Sequence, residues 1–278
     1  MNNRDNRKIE AIIKKNPFTS APKIAAELKE SLDKSVSADT VRRAIKKAGY
    51  NARTARKKPF VNKINRKKRI DFANEYKNKT NEFWDKVIFS DESKYNIFGS
   101  DGRHLVWRKN LEELNPKNTR KTVKHGGGGV MVWGCMSAAG VGNLMIIDEI
   151  MNKTVYLNIL KNNLNQSAEK LKIRNDYYFQ QDNDPKHTAA DVKMWIAYNT
   201  PHMLITPPQS PDMNPIEHLW DHLEKRLRCH HISNKNQLKD LLLSEWLQIS
   251  SEYTKKLVYS MPNRLNEVIR LKGYPTKY

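Results

Sequence analysis

The chain has 278 residues, 38% of them apolar and 29% charged, which fits a globular protein with one large core and a smaller appended domain and argues against a disordered chain. No apolar run reaches about 18 residues, so no segment is expected to cross a membrane, and the polar opening MNNRDNRKIE carries no secretory signal. The net charge of +20 is concentrated at the front, where residues 1–80 hold 23 Lys+Arg against 8 Asp+Glu, as a polyanion-binding module joined to a nearly balanced body would.

Three helical patterns fill residues 5–49. The first carries Ile9, Ile12 and Ile13 on one stripe. The second follows Thr19 or Ser20 as a cap. Pro22 falls in its first turn, where a missing amide costs nothing, and Ile24, Ala25 and Leu28 face inward. The third starts after Ser37, turns Val41, Ala44, Ile45 and Ala48 inward and stops at Gly49. Such a trio reads as a helix-turn-helix or, less specifically, as a protein-binding bundle. In a helix-turn-helix the last helix enters the major groove with its N-terminal residues at the base edges. Ser37, Asp39, Thr40 and Arg43 are then the base or near-base readers. Arg42 adds to the exposed basic face, and Lys46 and Lys47 meet phosphate.

Residues 50–61 form a basic linker in which Pro59 opposes helix, and a helix resumes over 62–78 with Ile64, Ile70, Phe72 and Ala73 apolar. Arg56, Lys57 and Lys58, and the basic run 66–69, could contact phosphates, direct nuclear import, or both. From Lys86 the texture changes. Val87, Ile88 and Phe89 make a short apolar strand that stops at Ser90, Asp91 and Glu92. YNIFG (95–99) and HLVWR (104–108) read as neighbouring strands turned by Gly99, Asp101 and Gly102. A glycine run, 126–129, leads into the strand VMVWGCM, and NLMIID follows. A helix is expected over 153–170. Tyr177, Tyr178 and Phe179 then lead a second strand to Asp182, with a helix starting in 183–199 and a short strand at 203–206.

The proline-rich PPQSPDMNP approaches a helix, IEHLWDHLEKRLRC, that places Glu217 in its first turn, where the dipole alone favours an acid. Leu241, Leu242, Leu243 and Trp246 suggest one more helix, and residues 251–273 a further packed element. Trp84, Trp107, Trp133, Trp195 and Trp220 read as core or sheet cover, with stacking on a base open for one of them. Cys135 and Cys229 read as reduced thiols of an intracellular protein.

Two strand-end aspartates and a glutamate at the start of a late helix can converge on one side of a mixed sheet. Like charges held that close repel, and divalent cations resolve the cost. Oxygen-only ligands select Mg²⁺, with Mn²⁺ as a substitute, over Zn²⁺. Two ions about 4 Å apart would activate an attacking hydroxyl and stabilise the leaving oxygen of a phosphodiester. Asp91, on the central strand, would bridge them, with Asp182 on one and Glu217 on the other. Against this, a chain with 30 acids offers accidental trios. His218 and His222 have a metal-binding spacing but no matching third ligand, so they read as polar surface or DNA-facing groups.

The stretches VIFSDESKYNIFG, TVKHGGGGVMVWGCMS, YYFQQDNDPKHT and PPQSPDMNPIEHLWDHLEKRL, with 34 residues between Asp182 and Glu217, resemble the mariner superfamily of DDE transposases. NPFTSAPKIAAEL and SADTVRRAIKKAGY look like a DNA-binding unit of that family. The resemblance implies an α/β chain: an RNase H-like mixed-sheet catalytic domain preceded by a small three-helix helix-turn-helix domain. The expected divisions are 1–50 for DNA binding, 51–84 for linker and helix, 85–228 for the catalytic core and 229–278 for a helical extension. It makes Asp91, Asp182 and Glu217 a catalytic triad holding two Mg²⁺ ions. Asn183, Lys186 and His187 become neighbours of the scissile strand. The implied activity is binding of terminal inverted repeats in double-stranded DNA, hydrolysis to free 3′-hydroxyl ends, and their joining to target DNA at TA dinucleotides. A homodimer on DNA, working in the nucleus, is the expected form. Two departures stand out: the chain starts where the family's second helix-turn-helix unit would, so the first is expected to be lacking, and His218 replaces the usual Asn. The competing expectation is a transposase-derived DNA-binding factor that no longer transposes.

Overall fold

The computed structural model describes residues 2–33, 35–55, 58–97, 109, 111–113, 115, 118 and 128–278. They form two compact units, Met1–Lys58 and Pro59–Tyr278. In the first, α1 (Asn3–Lys15) opens with a capping box between Asn2 and Asp5, and α2 (Ala21–Leu32) carries Pro22 in its first turn. Ser20 stands at the cap of α2 without a side-chain bond, contrary to its expected capping role. Ser37 does cap α3 (Ala38–Lys47), accepting from the Thr40 amide. Gly49, at φ +86°, ends α3 in a conformation that favours glycine, and its amide donates to the Lys46 carbonyl. Ile9, Ile12, Ile24, Leu28 and Val41 are buried together as this unit's own core.

The second unit begins with α4 (Lys63–Tyr76) and α5 (Asn81–Asp85) and is built on a five-stranded sheet. Its strands are β1 (Val87–Asn96), β2 (Gly129–Ser137), β3 (Gly140–Ile147), β4 (Tyr178–Gln181) and β5 (His202–Ile205), in the order β3-β2-β1-β4-β5. β1, β2 and β3 pair antiparallel, whereas β4 and β5 run parallel to β1. Both faces are covered, which is why VIF and VMVW read as continuous apolar runs and not as alternating strands. Val87, Phe89 and Val132 pack with α4 and with α8 (Ile216–Leu227), α9 (Lys235–Leu247), α10 (Ser251–Val258) and α11 (Met261–Arg270). Ile88, Trp133 and Cys135 pack on the other face with α6 (Lys153–Lys170) and α7 (Ala190–Asn199).

Several expectations change. β1 does not stop at Ser90. It runs to Asn96, because its antiparallel partner β2 continues to Gly129 while its pairing with β4 ends at Phe89. Tyr95 and Asn96 therefore belong to β1, and Gly99, Asp101, Gly102, the segment 104–108 with Trp107, and Gly126 and Gly127 lie outside the described residues. The helix expected in 183–199 starts only at Ala190. Before it, the Asp182 and Asp184 carboxylates accept from the amides of Asp184 and Lys186, which holds the backbone in turns. Residues 251–273 form two helices, α10 and α11, separated at Tyr259 and Ser260 with Pro262 in the first turn of the second. Cys135 is buried, Cys229 is exposed, and both are free thiols. No helix among the described residues is long and apolar enough to cross a membrane.

Candidate active site

Where β1 outruns its parallel partner β4, the sheet opens a crevice at the C-terminal ends of the parallel strands, the usual place for a site in such sheets. Asp91 lies on β1 just past the divergence, Asp182 follows the last residue of β4, and Glu217 is in the first turn of α8. All three line one cleft of about 430 Å³, together with Asn183 and the loop 206–211. The structure thus brings the three sequence-selected acids to one cavity. Among the described residues, however, no three His, Cys, Asp or Glu side chains are gathered closely enough to hold a single ion.

Their electrostatics differ. Burial, then the charges of Glu217 and Glu92, push the Asp91 carboxyl well above the ordinary carboxylate range. Burial, then Asp221 and Asp182, raise Glu217. Burial also works to raise Asp182, but hydrogen bonds from His187 and the Asp184 amide, with the charges of His187 and Lys186, outweigh it and hold Asp182 low.

His187 is the hinge of this arrangement. It is buried, with Nδ1 2.5 Å from Asp182 Oδ1 and Nε2 3.1 Å from Glu92 Oε1. Burial alone would favour the neutral ring, but its two carboxylate partners raise the pKa to about 9, so the imidazolium form holds at neutral pH. Tyr156 stacks on the ring at 3.9 Å and donates to Gln181 Oε1, and Gln181 Nε2 donates to the His187 carbonyl. The ring therefore fixes two carboxylates instead of presenting itself on the surface. Asn183 Nδ2 donates to the Thr206 carbonyl, and Lys186 pairs with Asp184.

On the opposite face of β1, the Trp220 indole donates to Asp91 Oδ2 at 3.1 Å. Trp220, expected as core or sheet cover, is buried in the core and also bonds a site acid, which the sequence reading missed. Its place three residues after Glu217, on the same helix face, is the signal that would have found it. Gly134 is directly opposite Asp91 in the β1–β2 register, and a Cβ there would stand 2.7 Å from the Trp220 ring. Gly134→Ala is expected to cost about 1–3 kcal/mol by overpacking and to push the indole off Asp91. Urea unfolding and indole fluorescence measure both effects, and a variant with wild-type stability and spectrum contradicts this account.

The other selected residues fall as follows. In the first unit, Ser37 and Thr40 bond each other at the start of α3, Arg42 pairs with Asp39, Arg43 reaches Thr40 Oγ1 at 3.4 Å, and Lys46 and Lys47 are exposed. Lys58 is exposed, while Arg56 and Lys57 lie outside the described residues. Arg69, expected as a phosphate contact, is fully buried: its guanidinium is bidentate to Asp212 at 2.8 and 2.7 Å, so it is a structural ion pair. His218 is not a free surface group either. Its Nδ1 accepts from Arg264 at 2.9 Å, and His222 lies 4.3 Å from the Tyr253 ring.

Residues 6–78 match a family described as "Transposase", and residues 86–239 match the "DDE superfamily endonuclease" family. The chain is 40% identical to the transposable element Tcb2 transposase of Caenorhabditis briggsae, over 98% of this chain and 99% of that one. It is 41% identical to the Tc1 transposase of Caenorhabditis elegans, over 95% and 97%. Among solved structures it is similar to the Mos1 transposase paired-end complex with left transposon end, at a TM-score of 0.82 and 18% identity, covering 98% of this chain and 80% of that one. A Mos1 mariner paired-end complex with Mn matches equally, at 0.82 and 19%. These likenesses establish the RNase H-like mixed-sheet fold with its N-terminal helical domain. The family matches also correct the expectation that the first N-terminal helix-turn-helix unit is lacking. The match over 6–78 takes in α1 to α4, so the N-terminal helix-turn-helix domain is present. The chain belongs to the Tc1/mariner family of transposases, enzymes that bind DNA and cut and join its strands through a DDE endonuclease domain.

Proposed function

We propose that Asp91, Asp182 and Glu217 form the catalytic, divalent-metal-binding triad of this transposase. The observation that carries the reading is the shared cleft, in which two of the three carboxylates are pushed up by burial and mutual charge. Such a set of oxygen donors, short of positive charge, fits Mg²⁺ or Mn²⁺, and the printed titles of related Mos1 structures name both metals. When bound, two such cations supply Lewis-acid activation of the attacking and leaving oxygens of a phosphodiester. Asp91 sits on the central strand, where it can serve both, with Asp182 to one side and Glu217 to the other. Trp220 fixes the orientation of Asp91, and His187 fixes that of Asp182. On this reading Asn183, which lines the cleft, and Lys186, paired with Asp184 of the same lining, meet the scissile strand.

On this reading, residues 1–50 bind duplex DNA at terminal inverted repeats through Ser37, Asp39, Thr40, Arg42, Arg43, Lys46 and Lys47, with Arg56, Lys57 and Lys58 of the 51–84 segment on phosphate. Residues 85–228 are the catalytic core and 229–278 its helical extension. Water attacks a phosphodiester to leave a 3′-hydroxyl, and that hydroxyl attacks target DNA at a TA dinucleotide. Two ends must be held at once, so a homodimer on DNA is the working form, and two-fold symmetry suits inverted ends. Its substrate places it in the nucleus. Incubation with labelled transposon-end duplex and Mg²⁺ tests the reading: nicks and joined products are expected. Binding is expected to weaken with salt by roughly 0.9 log units per log unit for each phosphate contacted. Intact strands under conditions where the protein binds those ends refute it.

A further inference from the structure

The loop 206–211 and the short 3₁₀ turn Pro211–Met213 form the wall of the cleft that leads into Glu217. Their anchorage comes from two buried arginines on other helices. Arg69 of α4 binds both Asp212 carboxylate oxygens and, through Nη1, the Gln209 carbonyl and Ser210 Oγ. Its Nε donates to the carbonyl of Gly273. The Asp212 carboxylate also accepts from the Thr276 amide at 2.9 Å. Arg264 of α11 donates to the Asp212 carbonyl at 3.0 Å and to His218 Nδ1 at 2.9 Å, and its guanidinium lies 4.7 Å from the Tyr278 ring. His218 is the next residue after Glu217. Asn214 ties the same turn to the carbonyl of Ser90, the neighbour of Asp91. The closing segment admits no looseness: at Gly273, φ +78°, an added Cβ would lie 2.4 Å from the Arg66 carbonyl oxygen of α4.

We propose that Arg69, Asp212 and Arg264, locked by residues 273–276, are positioning residues that hold Glu217 at the cleft against the repulsion of Asp91 and Asp182. The proposal rests on the reading of Glu217 as a metal-binding acid. An acid on the first turn of a helix sits on a lever, and three like charges around one cleft push that lever outward. The lattice grips the lever at its base: one guanidinium holds the turn before α8, and the other holds both that turn and the side chain beside Glu217. Toward the cleft, the hydrogen bonds of both arginines go to the turn and to His218. The charge of Arg264 also favours the Glu217 carboxylate, and Arg264→Lys retains that charge, so the geometric effect falls on how well the acids are arranged for a cation.

Two full-length variants test this. Gly273→Ala drives a Cβ into the α4 backbone and lifts the closing segment. Arg264→Lys keeps a cation but cannot reach Asp212 and His218 together. Mn²⁺ binding to the DNA-free protein is measured by titration calorimetry, beside thermal unfolding and the cation concentration that half-saturates strand cleavage. Cation affinity weaker by on the order of ten-fold, with half-saturation moving in step and cooperative unfolding retained, is the expected result. A merely structural lattice lowers the melting temperature and leaves cation affinity unchanged, and that outcome in either folded variant overturns the proposal. Glu217→Gln is measured alongside. If it cuts DNA at the wild-type rate, the assignment of Glu217 itself fails, which is a different result from an unaltered cation affinity in the lattice variants.

Discussion

Asp91→Asn is expected to abolish strand cleavage while leaving the fold and DNA binding in place. An asparagine oxygen can still accept from the Trp220 indole, so the hydrogen bond that orients position 91 survives the change. What disappears is the charge, and with it the donor best placed to serve both sides of the cleft. Loss of one preorganised charge-stabilising group slows an enzyme by about a hundred- to a thousand-fold, roughly 3–4 kcal/mol in the barrier, and loss of a metal-holding charge is expected to cost at least that. The same substitution removes a buried anion facing Glu217 and Glu92, so the metal-free variant is expected to melt at or above the wild-type temperature. Cleavage of a labelled end duplex, gel-shift affinity and thermal unfolding together decide it. A variant that cuts at the wild-type rate in Mg²⁺ removes Asp91 from the mechanism.

The largest loss of stability is expected from Arg69→Met. Arg69 and Asp212 are among the most buried charges of the second unit, with side-chain exposures of 0% and 5%. Methionine fills the volume but leaves the buried Asp212 charge without its cation, with the Thr276 amide and side chain still bonded to it. Breaking such a pair from one side costs about 3–5 kcal/mol. The pH dependence separates this from a packing defect. Burial works to raise the Asp212 carboxyl, but Arg69 beside it wins and holds it below its ordinary value. A depressed carboxylate contributes stability that is fully present above its unfolded-state pKa and is lost as pH falls through the folded one. In wild type, therefore, this contribution is kept in mild acid and weakens only as pH falls below the ordinary carboxylate range. In Arg69→Met the sign reverses, because protonating Asp212 relieves an unpaired charge, so the gap to wild type narrows on acidification. Urea unfolding across that pH range measures it, and a gap that stays constant rules out the ionic account.

Much of this site was legible in the chain because its acids sit at punctuation points. Asp91 and Asp182 follow short apolar runs, and Glu217 follows a proline-rich approach, so local pattern alone marks them. The 34-residue interval and the surrounding motifs carried the family, which the comparisons bear out. What surrounds the acids was not legible, for a physical reason. The resemblance makes His187 a neighbour of the scissile strand, but only the packing of Tyr156 above it and the approach of Glu92 from β1 make it a buried cation. Arg69 belongs to a basic run that looks like any DNA-facing surface. Its burial depends on Asp212 and Gly273, 143 and 204 residues further along, and no periodicity encodes a contact at that range. β1 was cut short for the same reason: its polar half is held by pairing with β2, not by its own propensity.

The sequence separation of these partners also has a consequence for the chain as it is made. Arg69 leaves the ribosome 143 residues before Asp212, 204 before Gly273 and 205 before Tyr274, whose groups satisfy it. Until then a guanidinium destined for the interior stays in water, and the wall of the cleft lacks its arginine anchor. Contacts of such long range form slowly and late. A nascent polypeptide that has passed Arg69 but not yet Gly273 therefore carries a finished DNA-binding front while the wall of the cleft behind it still lacks this anchor.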